Sequence, residues 1–456
     1  MRDTIFYASK DEKITPQEIA HADLARKLAG ECMVLLENDG ALPLKSRGEI
    51  ALYGNGVRKT IQGGTGSGSV NTRSITNIEK GFEEAGFTVT NKPWLDANDE
   101  HYKKMQEAYQ EWLEEEGKRR NVPPFLVSFD HPFSEPAPYT ISEEEVAGCK
   151  AEIAVYVISR NSGEGKDREY REGDYLFYQE ELDGIRNLIA GGKKLIVVLN
   201  IGGVMQLTEL KKIKGISAIV LMNQLGNLGG NALVDLISGA VTPSGKLADT
   251  WAVEYKDYPS SATFSHNNGN VDEEYYQEGI YVGYRYFDSF GVTPLYPFGY
   301  GLSYTSFDIK TIKVEQKSEF IAVSVKVRNT GDYYAGKEVV QIYLSKPQGQ
   351  MDMPYQELVA FQKTGELGPG EVDWIVLEFP LELLAGYDTD SAAYLVEAGD
   401  YIVRVGADSA STQAAAVLTV KSRTMLKQCE NMSFADEKQE EIKSVRKAVK
   451  EEALWK

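Results

Sequence analysis

Ile153-Ala-Val-Tyr-Val-Ile158, Lys194-Leu-Ile-Val-Val-Leu199 and Ala218-Ile-Val-Leu-Met222 are three short, almost wholly apolar runs, and the stretch they punctuate decides the fold. Each has strand length, and residues 178–190, 206–211 and 229–238 carry helical spacing between and after them. A strand that is apolar at nearly every position is buried on both faces, the condition of parallel strands joined by helical crossovers. Upstream, Ile50-Ala-Leu-Tyr53 ends in Gly54 and reads as another buried strand. Residues 74–85 resume a helix, and 98–120 form a charged helix whose face over 104–120 suits solvent. Nearer the start, Thr15-Pro16 offers a cap with proline at the first helical position. Apolar residues then recur at Ile19, Ala20, Leu24, Leu28, Cys32 and Leu35, so 16–48 reads as a helix followed by a turn. The expectation is a mainly parallel α/β sandwich domain over 16–250, with the five-proline segment 121–145 as a surface excursion.

Downstream the texture changes. Residues 251–305 are rich in Tyr, Gly and Pro without clear periodicity and read as an ordered connection wrapping the first domain. From 306, Phe320-Ile-Ala-Val-Ser-Val-Lys-Val-Arg328 alternates with period two, and strands also fit 336–344, 372–379 and 400–406. Short alternating strands with turn signals predict an antiparallel β-sandwich of immunoglobulin-like type over 306–422. Trp374, in one of its strands, is expected in the core. The tail 423–456 is charged and helix-compatible from Asp436 to Trp455.

The balance of 42% hydrophobic and 26% charged residues is that of an ordinary globular chain able to bury a core. A net charge of −19 disfavours nucleic acid and anionic membrane surfaces, and is compatible with a neutral ligand such as a sugar. Three scattered cysteines (Cys32, Cys149, Cys429) suit a reducing compartment, with Cys32 and Cys149 expected as core or half-buried thiols. The histidines (His21, His101, His131, His266) are equally scattered, so no metal site is expected. No apolar stretch has signal-peptide or membrane-spanning length, which makes cytoplasmic the default expectation.

The segment following the first of these strands, Ser159-Arg-Asn-Ser-Gly-Glu-Gly-Lys-Asp-Arg168, is the sharpest chemical feature. Loops beyond the carboxyl ends of strands collect functional groups in open α/β sheets. Here Glu164 is flanked by Gly163 and Gly165, so a ligand can approach without side-chain obstruction. A carboxyl in that setting can serve as a proton donor, with Asp167 and Arg168 to tune or orient it. Composition alone fits a solvated glycine-rich turn as readily. The loop Gly63-Gly-Thr-Gly-Ser-Gly-Ser69 lacks the Gly-Lys-Ser/Thr of a phosphate loop and reads as a structural turn or a wall of a sugar site.

Taken together, these motifs resemble family 3 glycoside hydrolases of the β-glucosidase type. Ser-Gly-Glu-Gly-x-Asp-Arg after a strand is similar to that family's acid/base loop, which implies Glu164 as general acid/base. Val34-Leu-Leu-Glu-Asn-Asp-Gly-Ala-Leu-Pro-Leu44, the glycine-rich loop, Val198 to Gly203, Gly229 to Leu233 and Pro243 to Leu247 resemble further elements in family order. Tyr281 to Asp288 and Tyr296 to Tyr304 resemble the connection into a fibronectin-III-like domain. Asn223 to Gly229 departs from the Pro-Gly-Gln-Glu turn often found there. The resemblance covers about 20–420 and implies substrate-binding roles for Gly64, Ser67, Asp167 and Arg168, with no cofactor.

The family takes its nucleophilic Asp from a (β/α)₈ barrel, in a Ser-Asp-Trp context. Such a barrel needs about 250 residues, and no span here can hold one. Asp373-Trp374, the one Asp-Trp pair, falls in the sandwich, so no nucleophile is expected in this chain. The resemblance therefore implies the acid/base-bearing portion of a retaining β-glycosidase, acting on a β-linked glucoside or oligosaccharide. A barrel partner in another chain or a missing stretch would supply the nucleophile. The alternative is a catalytically inactive carbohydrate-binding or scaffold protein of the same descent. The sequence leaves oligomeric state open, a homo-oligomer included.

Overall fold

The computed structural model describes residues 12–68, 70–161, 164, 167–432 and 440–443. The apolar runs form the centre of a six-stranded sheet of order β1-β6-β5-β4-β2-β3. Its strands are β1 (Val34–Asn38), β2 (Glu49–Tyr53), β3 (Thr88–Val89), β4 (Ile153–Arg160), β5 (Lys194–Ile201) and β6 (Ile216–Leu221). All neighbouring pairs are parallel except β1 with β6, which is antiparallel. The helices are α1 (Pro16–Cys32), α2 (Ile78–Glu84), α3 (Lys92–Arg120), α4 (Pro124–Asp130), α5 (Glu143–Gly148), α6 (Gln179–Ala190), α7 (Thr208–Lys212) and α8 (Gly229–Ile237). β4 and β5 are buried along almost their whole length, as strands covered by helices on both faces must be. α2 and α8 approach so closely that a Cβ on Gly81 would lie 2.5 Å from the Gly230 carbonyl oxygen.

Several elements differ from expectation. Val34–Asn38 is a strand rather than the end of a helix and turn, because Met33 turns extended (φ −70°, ψ 141°) immediately after α1. α3 starts at Lys92, with Pro93 in its first turn, rather than at 98. The apolar stripe of α1 lies in solvent, with Ile19, Leu24 and Leu28 each more than half exposed. α1 instead docks through its small residues, Ala29 and Gly30 being the ones it buries, and through an Arg26–Asp235 ion pair to α8. The proline-rich excursion is tied down by Asn55 Nδ2 to the Pro136 carbonyl (2.8 Å) and Trp94 Nε1 to the Thr140 carbonyl (3.1 Å). Cys149 is buried as expected, whereas Cys32 is exposed at the end of α1.

A further helix, α9 (Tyr284–Phe290), lies in the connection. The second domain holds β7 (Phe307–Gln316), β8 (Phe320–Asn329), β9 (Val339–Ser345), β10 (Glu357–Lys363), β11 (Val372–Pro380), β12 (Gly386–Asp388), β13 (Ala393–Val396), β14 (Gly399–Gly406), β15 (Gln413–Val420) and β16 (Thr424–Gln428). Two antiparallel sheets, β10-β9-β14-β15 and β11-β8-β7, make the sandwich, and β12-β13-β16 form a small third sheet. Trp374 does not enter the core. Ile375, Leu377 and Phe379 take the inward parity of β11, which leaves Trp374 62% exposed beneath the Lys326 ammonium, 5.5 Å from its ring. The tail opens with a strand, β16, on the edge of β13, in place of a helix from its start. Of the stretch Asp436 to Trp455 only residues 440–443 are described, and they are not helical.

The domains are joined by half-buried charges. Lys246 Nζ meets Glu338 at 2.7 Å, and Glu31, at the end of α1, holds both Lys337 and Lys363. The connection adds its own contact, since Asp288 on α9 accepts from Gln356 Nε2 at 2.9 Å. Burial pushes the Asp288 carboxyl up to about 6, the Gln356 hydrogen bond opposing and nearby Asp408 adding to the rise. A carboxyl with a raised folded value binds its proton more tightly folded than unfolded. Stability therefore falls as pH rises from about 4 through 6, then stays level. Asp288→Asn keeps an acceptor for Gln356 and should stabilise the protein by about 2 kcal/mol at pH 8, with the gain shrinking toward pH 4. Urea unfolding of both forms at the two pH values measures it.

Candidate active site

Because β2, β4, β5 and β6 run parallel, the loops that leave their carboxyl ends converge on one edge of the sheet. Asn200, fully buried near the end of β5, ties two of them together. Its Oδ1 accepts from Ile61 N (2.7 Å), and its Nδ2 donates to the carbonyls of Ile61 (3.0 Å) and Asn223 (2.7 Å). The glycine-rich loop after β2 and the 223–228 loop after β6 are thus anchored from the centre of the sheet.

The glycine-rich loop brings Gly66 against Glu164. Gly66 has φ +79°, which favours glycine, and a Cβ there would come within 2.7 Å of Glu164 Oε2. The Glu164 side chain is solvent-accessible. Gly64 is half-buried in the same loop. The side chain of Ser67 lies outside the described residues, as do the four residues immediately flanking Glu164. Of the residues expected at the site, the structure therefore brings Glu164 to the glycine-rich loop.

Asp167 is exposed and lies on the other flank of the acid loop, toward β5. Arg168 turns its guanidinium mainly onto the protein itself. Its Nε and Nη2 donate to Asp174 Oδ1 and the Asp174 carbonyl (both 2.7 Å), and its Nη1 donates to the Val204 carbonyl (2.6 Å). It holds the loop in place.

Asp174 is a residue that the sequence did not single out. At the other end of the acid loop, Arg160 Nε donates to the same Asp174 carbonyl at 3.1 Å. Arg160 is itself clamped by Glu181 in a two-pronged pair (2.6 and 2.9 Å), with both side chains at 5% exposure or less. Burial works against the Arg160 charge, and the Glu181 carboxylate more than restores it. Asp174 Oδ2 also accepts from Glu169 N at 2.7 Å. Two arginines, one on either side of the loop 161–167, thus both donate to Asp174, which fixes the loop's span. Among the described residues, no group of three or more His, Cys, Asp or Glu is arranged to hold a metal ion.

Comparison with known proteins fits this geometry. Residues 33–284 match the glycosyl hydrolase family 3 C-terminal domain, and residues 338–409 match the fibronectin type III-like domain. The chain is similar to β-glucosidase A of Butyrivibrio fibrisolvens, 34% identical over 88% of this chain and 51% of that protein. It is also similar to an exo-α-(1→6)-L-arabinopyranosidase of Bifidobacterium longum, at 29% identity over 86% of this chain and 47% of that one. The structure of β-glucosidase 3B from Thermotoga neapolitana in complex with α-D-glucose superposes with a TM-score of 0.78 at 38% identity, covering 91% of this chain and 56% of that one. The chain spans about half the length of the curated relatives it matches.

The clamp makes a direct prediction. Asp174→Ala leaves the largely buried Arg168 charge without its carboxylate partner and should cost roughly 2–4 kcal/mol. Hydrogen exchange should rise selectively over 160–176, measured by mass spectrometry against the unchanged core strands β5 and β6.

Proposed function

The chain belongs to glycoside hydrolase family 3, and from that premise we propose that it is the acid/base-bearing portion of a retaining β-glycosidase acting on β-linked glucosides. The observation that carries the reading is the meeting of Glu164 with Gly66. It is an accessible carboxyl held against a glycine-rich loop, at the sheet edge where ligands bind in open α/β folds. In a retaining mechanism the donor protonates the departing glycosidic oxygen while a second carboxylate attacks the anomeric carbon from the opposite face. The donor then removes a proton from the water that releases the glycosyl-enzyme. Glu164 takes the first role and, in the second step, the base role.

The second carboxylate must stand about 5–5.5 Å from the first. We assign it to an Asp on a (β/α)₈ barrel, in another chain or in a further stretch of the same one. The glucose complex of the Thermotoga neapolitana relative supports a glucosyl unit as the sugar cleaved. The arabinopyranosidase among the relatives marks the sugar and linkage as properties that vary within the family.

The test combines the purified chain with a family barrel and measures hydrolysis of cellobiose and of an aryl β-glucoside. Activity should require the barrel. Glu164→Ala should lower kcat/KM on cellobiose by about 10²–10⁴-fold. Azide, which needs no general base, should restore turnover of the activated aryl glucoside. Full activity in Glu164→Ala would sink the assignment. Sugar binding without hydrolysis by any barrel would favour the inactive carbohydrate-binding reading.

A further inference from the structure

The acid loop has two flanks. One meets Gly66, and the other opens on a cavity of about 440 Å³ enclosed by residues 167–175, the turn after β5 and residues 255–264 of the connection. That volume lies within the usual range for small-molecule sites. Its walls are aromatic. Tyr170 and Tyr255 stack with centroids 4.7 Å apart, and Tyr175 stands edge-on to Tyr255 at 5.1 Å. Tyr175 is buried and serves as backing, whereas Tyr170 and Phe264 remain 49% and 41% exposed and present ring surface. Asp167 and the serines 260 and 261 supply polar groups at the same space.

The chemistry of this lining selects a ligand class. Arg168 is the only cation lining the cavity among the described residues, and each of its three nitrogens already donates to Asp174 or Val204, its charge being paired with the Asp174 carboxylate. With the Asp167 and Glu169 carboxylates also present, an anion such as a phosphate or a nucleotide meets a lining whose one cation is already paired and whose remaining charges are negative. What remains is a neutral ligand with apolar faces for the rings and hydroxyls for the carboxylate and serines. A pyranose ring has that make-up, its axial C–H bonds lying on an aromatic face and its equatorial hydroxyls pointing outward.

We propose that this cavity is a second sugar subsite, which holds a pyranose ring from the leaving-group side of a β-linked oligosaccharide. Its assignment to the leaving-group side rests on the reading of Glu164 given above; its affinity for sugar does not. Residues 169–175, locked by Asp174, form one wall, and the Tyr-rich connection forms the other. The connection thereby gains a role beyond joining two domains, and the preferred substrate is an oligosaccharide rather than a small aryl glucoside.

The experiment uses the full chain without any barrel, so it is independent of catalysis. Isothermal titration and saturation-transfer NMR are run with cellotriose, glucose, maltotriose and choline. Choline is included because tyrosines beside carboxylates can also cage a quaternary ammonium. Cellotriose should bind more tightly than glucose or maltotriose. Phe264→Ala, at a surface position, should weaken it at least tenfold with an unchanged Tm, and Ser261→Trp, which fills the space, should abolish it. The proposal is overturned if cellotriose does not bind, if its affinity survives both substitutions, or if choline binds in its place. Failure of the catalytic reading shows separately, as absence of hydrolysis with every barrel tried.

Discussion

A parallel sheet buried on both faces cannot turn back on itself with short hairpins. Each strand must be followed by a helix that returns the chain to the starting edge, so every outgoing loop lands on the same side. That constraint organises the chemistry of this protein. The glycine-rich loop, the acid loop, the turn after β5 and the 223–228 loop are neighbours because β2, β4, β5 and β6 are neighbours. The core therefore determines which loops can meet, and local chemistry determines how firmly they are held. Asn200, buried among apolar strands, satisfies its amide entirely on two of those loops and converts burial into alignment.

The acid loop needs more than placement, because a stretch rich in glycine has many conformations to lose on ordering. The structure limits that freedom at the loop's ends. Arg160 and Arg168 converge on Asp174, and Glu181 holds Arg160 in turn. A charge removed from water is costly unless fully partnered, so such a clamp is stable only as a complete set.

How much of this was legible beforehand depended on the range of the interaction. Strands β2, β4, β5 and β6 declared themselves as uninterrupted apolar runs, and the sandwich as period-two alternation. β1 was hidden because Val34-Leu-Leu carries on the apolar spacing of α1, and only the extended backbone at Met33 separates them. Trp374 was misplaced by its bulk, although the parity of Ile375, Leu377 and Phe379 already pointed it outward. Glu164 was singled out from its local pattern. Its contact with Gly66 was not, because that depends on β2 and β4 being paired. Arg168 could be recognised as part of the acid loop, but no local pattern reveals that a loop arginine points inward to an aspartate. Asp174 and the Tyr170–Tyr255 wall carry no motif and emerge only when distant segments are brought together.

The grip of Glu31 on Lys337 and Lys363 bears on the order in which the molecule is made. Glu31 lies 306 residues ahead of the first of those lysines. At ribosomal speeds of about 5–20 residues per second, roughly 15–60 s separate its synthesis from that of its partner. During that interval the α/β domain can complete its sheet while the end of α1 has no sandwich to dock against. Docking of the two domains through these charges is therefore a late event, which follows synthesis of the sandwich lysines rather than belonging to the initial collapse.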